Sequence, residues 1–204
     1  MRRLGLLIFL CLSASRVWSD ETVLFCYNWS CAAEARVSFS EPLLRYFGRS
    51  LDKAAGPEDE RRRLAQVIGR MYLQAARQSP IAADRAGNDQ DGDSYGRMDC
   101  IDHSTTTTRL LKLLERRGAL RWHRVLEPVR RQRFIVTQHF SAQVETLALA
   151  RLADVGGAVA STAAQRFVID SWFVDPGLPA VVLPLQRWMD GEGPDVDQQN
   201  ESGE

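Results

Sequence analysis

The sequence predicts an α+β fold, and three observations carry the prediction. Apolar residues at helical spacing dominate residues 41–78, and β-branched and aromatic runs dominate residues 119–174. Between them a cysteine, Cys100, stands at the start of a further helical pattern. Helices, then the cysteine helix, then a sheet is the element order of an α+β chain. With 204 residues and 45% apolar content there is enough material for one domain with a sizeable core.

The first nineteen residues differ in kind. Arg2 and Arg3 precede the apolar run Leu4 to Leu12, and Val17-Trp18-Ser19 ends on a small residue. That is the layout of a secretory signal peptide, too short to span a bilayer comfortably, with cleavage expected near Ser19. An uncleaved anchor is the alternative, and Leu10 before Cys11 does not suit a lipoprotein site. Residues 1–19 hold Arg2, Arg3 and Arg16 and no acid, so the remainder has 23 basic and 26 acidic residues, a net −3. Arg61-Arg62-Arg63 and Arg130-Arg131 read as solvated faces. Neither nucleic acid nor stable membrane insertion after signal cleavage is expected.

Thr22 to Tyr27 and Ala35 to Phe39 read as two strands of a hairpin. Cys26 and Cys31 flank the short loop between them and form the natural disulfide in an oxidising compartment. Four residues lie between these cysteines rather than two, which argues against a disulfide oxidoreductase. Asn28-Trp29-Ser30 matches a glycosylation acceptor pattern, a short and common match. Ser40-Glu41-Pro42 starts a helix that runs to about Ala55 and breaks at Gly56-Pro57. A second helix, Glu58 to Gln78, carries Leu64, Ile68, Met71, Tyr72 and Ala75 on one face. Residues 79–98 form a polar loop. Asp89, Asp91 and Asp93 alternate there, but the glycine is misplaced for a calcium loop and no Glu closes it, so a solvated turn is expected.

Ala119 to Leu126 and Arg133 to Leu149 have strand character, followed by a Gly/Ala/Ser stretch from Ala153 to Ala164. Arg166 to Val174 reads as a buried strand turned by Asp175-Pro176-Gly177, and Pro184 to Trp188 as a short closing turn. From Asp190 onward little can be buried, so the expected organisation is a signal at 1–19, one domain at 20–189 and a disordered acidic tail at 190–204.

Cys100 lies in Asp99-Cys100-Ile101-Asp102-His103-Ser104-Thr105, ahead of an amphipathic run with Leu110, Leu111, Leu113 and Leu114 that stops at Gly118. Asp99, Asp102, Ser104 and Thr105 all favour a helix start, because their oxygens accept the unpaired N–H groups of the first turn. Cys100 is thus expected within one turn of a helix N-terminus, where the macrodipole favours thiolate. The two flanking carboxylates oppose this, so a nucleophile here needs a cationic partner. Pairing of Cys26 with Cys31 leaves Cys100 free. A free cysteine is often buried and inert, but its position at a helix start favours reactivity.

Two polar residues interrupt apolar strands downstream: His139 in Val136-Thr137-Gln138-His139-Phe140 and Asp170 in Val168-Ile169-Asp170-Ser171-Trp172. On separate strands they can satisfy one another. The helix-start cysteine, the strand histidine and the strand aspartate, in that order over residues 95–175, resemble the transglutaminase-like branch of the papain-like fold. The likeness is greatest to bacterial transglutaminase-like cysteine proteinases exported to the periplasm. About twenty residues between the two strands, including Val155-Gly156-Gly157, depart from the short hairpin often found in that family.

The resemblance implies a papain-like core with N-terminal helices, a catalytic-cysteine helix and an antiparallel sheet. It implies a Cys100–His139–Asp170 triad acting through an acyl-thioester on a protein or peptide substrate, with Asp175, before Pro176, as the rival aspartate. It also implies that calcium, where bound, is held by acids beside the cysteine, at Asp99 and Asp102; no cofactor is required. Chemically, His139 would supply the charge that holds a thiolate and Asp170 would orient it. The N–H of Cys100 and a group such as Tyr95 would form the oxyanion hole. His103 shares the Cys100 helix face and reads as a cap or supporting group, and His123 as a strand surface residue. A domain of the same fold without turnover, serving binding or assembly, is the alternative to the peptidase or amidase reading.

Overall fold

The computed structural model describes residues 19–87, 94–133, 137–147 and 165–194. Strands β1 (Glu21–Tyr27) and β2 (Ala33–Phe39) pair antiparallel as the alternation predicts, in register Val23↔Val37 and Tyr27↔Ala33. Val23, Phe25, Val37 and Phe39 point inward and are buried. Cys26 and Cys31 are joined by a disulfide across the connecting loop.

Helix α1 (Glu41–Asp52) starts after Ser40 with Pro42 in its first turn, where a missing N–H costs nothing. Helix α2 (Pro57–Ala76) starts with Pro57 and an acidic first turn, Glu58 to Glu60, which suits the positive end of the macrodipole. Its predicted face of Leu64, Ile68, Met71, Tyr72 and Ala75 is the one it buries. Gly69 is needed there, because a Cβ would lie 2.2 Å from the Leu178 carbonyl oxygen. A 3-10 turn at Pro80–Ala83 opens the polar loop. Asp89, Asp91 and Asp93, read as a solvated turn, lie outside the described residues, as do the signal peptide up to residue 18 and the Ala153–Ala164 stretch.

Helix α3 (Cys100–Arg116) is the centre of the molecule. It packs on β1 on one side and on the four-stranded sheet on the other. Leu110, Leu111, Leu113 and Leu114 are buried as expected, each contributing roughly 1.5–3 kcal/mol. The helix is less amphipathic than predicted, because His103, Ser104, Thr106, Thr107 and Thr108 are buried as well. A helix covered on both sides must find partners for such groups. Thr106 Oγ1, for one, accepts the Cys26 N–H at 3.0 Å.

The second sheet is an antiparallel meander in the order β3-β4-β5-β6. β3 (His123–Arg133) is longer than the strand pattern indicated, running through Pro128 by way of a register shift between Leu126 and Val129. It is an edge strand, where a proline and a bulge are tolerated. β4 (Thr137–Thr146) pairs with β5 (Arg166–Asp170), which ends sooner than the expected buried strand and turns at Trp172–Phe173. β6 (Val181–Pro184) was not foreseen, and helix α4 (Leu185–Met189) replaces the expected closing turn. Arg187 pairs with Glu192 just beyond it, so the part of the expected tail that is described is held against the domain. The fold is α+β, with two antiparallel sheets and four α-helices among the described residues.

No helix among the described residues is long and apolar enough to cross a membrane.

Candidate functional site

Cys100 is the first residue of α3. Asp99 is its N-cap and closes a capping box with Asp102. The Asp99 side chain accepts the Asp102 N–H at 2.8 Å, and the Asp102 side chain accepts the Asp99 N–H at 3.2 Å.

The same two carboxylates hold the disulfide loop. Asn28, Trp29, Ser30 and Cys31 all lie in the left-handed region, at φ 64°, 63°, 54° and 55°. Such a turn aims consecutive N–H groups to one side and favours an anion there. Trp29 N–H donates to Asp102 Oδ2 at 2.9 Å, Ser30 N–H to Asp99 Oδ2 at 2.9 Å and Cys31 N–H to Asp102 Oδ1 at 2.6 Å. Asn28 N–H donates to the Arg97 carbonyl, and Asn28 Oδ1 accepts the Gly96 N–H, each at 2.7 Å. Gly96 is at φ 94°, and a Cβ there would lie 2.2 Å from the Pro80 carbonyl oxygen. The hairpin loop is thereby bolted across the start of the cysteine helix.

The residues expected to hold calcium do not fit it. All four oxygens of Asp99 and Asp102 face N–H donors, the surroundings of an anion's acceptors and not of a hard cation's ligands. The sulfurs of Cys26 and Cys31 lie near Asp102 but are tied up in their disulfide. Asp102 is buried beside Asp99, and its carboxyl is pushed up to about 6; burial is the main cause and the Asp99 charge the next, with the amides of Cys31, Asp99 and Trp29 working against both.

On the sheet side, the β4–β5 ladder ends at Ala142↔Ile169, one residue before Asp170 on β5 and three after His139 on β4. Past that point the edge of β4 has no strand beside it among the described residues, and the Phe140 N–H lies near enough to the Cys100 sulfur to draw the thiol pKa down. The helix-start cysteine therefore sits against the residue next to His139.

His139 Nε2 lies 2.8 Å from Asp170 Oδ2. The same oxygen accepts the Trp188 indole N–H at 2.9 Å, and Asp170 Oδ1 is 3.3 Å from the Trp172 N–H. Asp170 is thus buried with three donors around it, while the His139 side chain stays 13% exposed. Its ring is walled by Trp172, Phe173 and Trp188, with centroids 4.8, 5.3 and 5.6 Å away. A carboxylate on Nε2 fixes the proton there and leaves Nδ1 to act as base. Asp175, the rival, is exposed and its Oδ1 accepts the Ala86 N–H at 2.9 Å, which ties down a loop away from His139.

The thiol is pushed up to about 11. Burial is the first cause, and the charges of Asp99 and Asp170 add to it; the N–H groups of Phe140 and of Cys100 itself pull the other way. The protonated thiol is therefore the resting form at neutral pH.

Three expectations about neighbouring residues change. Tyr95 is largely exposed and its hydroxyl pairs with that of Tyr27 at 3.2 Å, so no described contact brings it to Cys100. His123 is not a surface residue: it is buried, with Nδ1 2.7 Å from Glu60 Oε2 and Nε2 3.2 Å from the Arg61 guanidinium. Glu60, on α2 and also buried, takes the N–H groups of Arg121 and Trp122 as well. Arg61 and Arg131 are not plain solvated faces, since they lie over Phe167 at 3.6 Å and Trp188 at 4.6 Å. His103 has both ring nitrogens engaged away from Cys100, with Asp84 and Ser171.

Comparison of the chain with known families, curated proteins and solved structures finds no match.

Proposed function

We propose that the protein is an exported cysteine peptidase or amidase of the transglutaminase-like, papain-like type, working with Cys100 as nucleophile, His139 as base and Asp170 as its orienting group. The observation that carries this reading is a helix-start thiol held near the strand backbone at Phe140, the residue after a histidine whose Nε2 is bonded to a buried carboxylate. The Cys26–Cys31 disulfide supports a secreted or periplasmic location, since such bonds persist in oxidising compartments.

Because the resting thiol is protonated, the base acts during attack. Nδ1 of His139 takes the thiol proton as sulfur bonds to the substrate carbonyl carbon, and the resulting imidazolium is stabilised by Asp170. The Cys100 N–H, at the positive end of α3, faces the developing oxyanion. When the C–N bond breaks, the imidazolium returns its proton to the departing amine and leaves an acyl-thioester. Water, deprotonated by His139, then releases the acid and restores the thiol. Transfer to a second amine follows the same route with amine in place of water.

The second reading is a domain of the same fold that binds or assembles without turnover. The half-buried thiol, pushed up to about 11, favours it.

Iodoacetamide labelling of folded protein separates the two readings. A working site labels at Cys100 at a rate that falls at least about tenfold in His139→Ala. Equal rates in the two proteins would sink the catalytic reading.

A further inference from the structure

We propose that His103, gripped between Asp84 and Ser171, is a positioning residue that sets the start of the cysteine helix against the end of the aspartate strand. The inference rests on the catalytic reading above.

Cys100 and Asp170 stand on elements that share no ladder and are 70 positions apart in the chain. Something must fix their separation, because a misplacement of about 1 Å in such a site lowers rates by roughly a hundredfold. His103 is one turn after Cys100 on the same helix. Its Nδ1 lies 2.9 Å from Ser171 Oγ, and Ser171 is the residue that follows Asp170. Its Nε2 lies 3.0 Å from Asp84 Oδ2, while Asp84 Oδ1 accepts the N–H of Met98, two residues before Cys100. One imidazole thus joins the segment entering the helix, the helix itself and the end of β5.

The ring is also held in orientation. Tyr72 stacks on it at 5.5 Å and 15°, and the Tyr72 hydroxyl meets Thr107 Oγ1 at 3.0 Å. Ser171 Oγ in turn touches Thr107 Oγ1 at 2.8 Å and the Tyr72 hydroxyl at 3.2 Å. With Asp84 taking the Nε2 proton, Nδ1 accepts from the Ser171 hydroxyl, and every member has a partner. His103, Asp84, Ser171, Thr107 and Tyr72 are all buried, so no substrate reaches this chain of groups and its influence passes through Cys100 and Asp170. An apolar core would fill the space with less desolvation; directional bonds of fixed length define position more sharply.

The test uses the full chain with 15N-labelled histidine. In wild type the His139 Nε2–H, bonded to Asp170, gives a low-field proton signal. In Ser171→Ala and in His103→Gln that proton exchanges about tenfold faster, and iodoacetamide labels Cys100 about tenfold more slowly. Thr106→Val removes a buried hydroxyl from the same helix, the one that accepts the Cys26 N–H, and it has no described contact with His103, Ser171 or Asp170; it is expected to lower the melting temperature while leaving both readouts unchanged. The proposal is overturned if folded Ser171→Ala keeps the wild-type signal and labelling rate, or if Thr106→Val moves them as much. If His103→Gln does not fold, Ser171→Ala decides alone. Should His139→Ala label as fast as wild type, the catalytic reading fails, and the proton exchange of His139 in Ser171→Ala still decides the positioning role.

Discussion

His123 and His139 lie at opposite ends of the same strand pair, β3–β4, and each is bonded to a carboxylate, yet they do different things. His123 has Glu60 on Nδ1 and Arg61 on Nε2, and no exposed surface. His139 has Asp170 on Nε2 and no partner on Nδ1 among the described residues, keeps 13% of its side chain exposed, and precedes Phe140, whose N–H lies near the Cys100 thiol. A histidine–carboxylate pair is therefore not in itself a sign of catalysis. With both nitrogens engaged it ties α2 to the start of β3; with one nitrogen left over beside a nucleophile it can move a proton.

The sharpest way to break this comparison is to remove each ring in turn. His139→Ala should lower turnover of an amide substrate by about a thousandfold or more in the protein that folds. His123→Ala should leave turnover per folded molecule intact and cost roughly 1–3 kcal/mol, because the buried Glu60 carboxylate loses one partner and keeps the Arg121 and Trp122 amides. Denaturant melts and activity measured on the same samples would show whether the two effects separate in this way.

Asp170→Asn is expected to lower turnover by at least about a hundredfold, since an amide that donates to Nε2 would favour the wrong tautomer. Asp175→Asn keeps an oxygen that accepts the Ala86 N–H and should leave the rate within about twofold. The opposite ranking would transfer the orienting role to Asp175.

The pH dependence of labelling sharpens the contrast further. A thiol held at about 11 by burial and by Asp99 and Asp170 gains thiolate steadily across the accessible range. Alkylation of Cys100 in His139→Ala should therefore keep rising, close to tenfold per pH step of about one, with no plateau below pH ~10. The sign for stability follows. Because the folded thiol titrates above the unfolded one, its contribution is complete below the ordinary value of 9.0 and is lost as pH rises through about 11. A plateau near neutral pH would mean that a thiolate is already formed at rest.

The smallest expected effect concerns the acids beside the cysteine. Asp102→Asn places an NH2 group against N–H donors and should destabilise by about 1–3 kcal/mol. Calcium or a chelator should leave the wild-type melting temperature unchanged. A rise with calcium that Asp102→Asn abolishes would restore a metal role for these residues.

Much of this was legible in the chain. The hairpin and its disulfide follow from alternation and cysteine spacing, and α1 and α2 from their prolines and apolar stripes. The start of α3 at Cys100 follows from the acids around it. His139 and Asp170 stood out because each interrupts an apolar strand. What did not show were properties set by distant partners. His123 sits between Trp122 and Arg124 and looked exposed; Glu60, which buries it, is 63 residues away. His103 reads from the sequence as a cap or supporting group, and the burial of the threonines after it does not show, because nothing local reveals that α3 is covered on both sides. β6 has only four residues, too few for a period to register, and Pro128 masked the continuity of β3 that an edge bulge allows. The resemblance supplied calcium at Asp99 and Asp102, whereas the amides that occupy these carboxylates come from a loop 70 residues upstream.

That loop bears on how the chain folds. A run of four left-handed residues, three of them not even Asn, costs about 1–2 kcal/mol at each position and has no reason to form in an isolated hairpin. Two helical segments of opposite hand meet here, start to start, and the Asp99 and Asp102 carboxylates serve both sets of free amides. Each needs the other to be in place. The hairpin, local though it is in sequence, should therefore reach its final shape only after the middle of the chain has docked, making its loop a late event in folding. In an oxidative refolding experiment, the Cys26–Cys31 bond should close more slowly in a fragment ending before residue 98 than in the full chain.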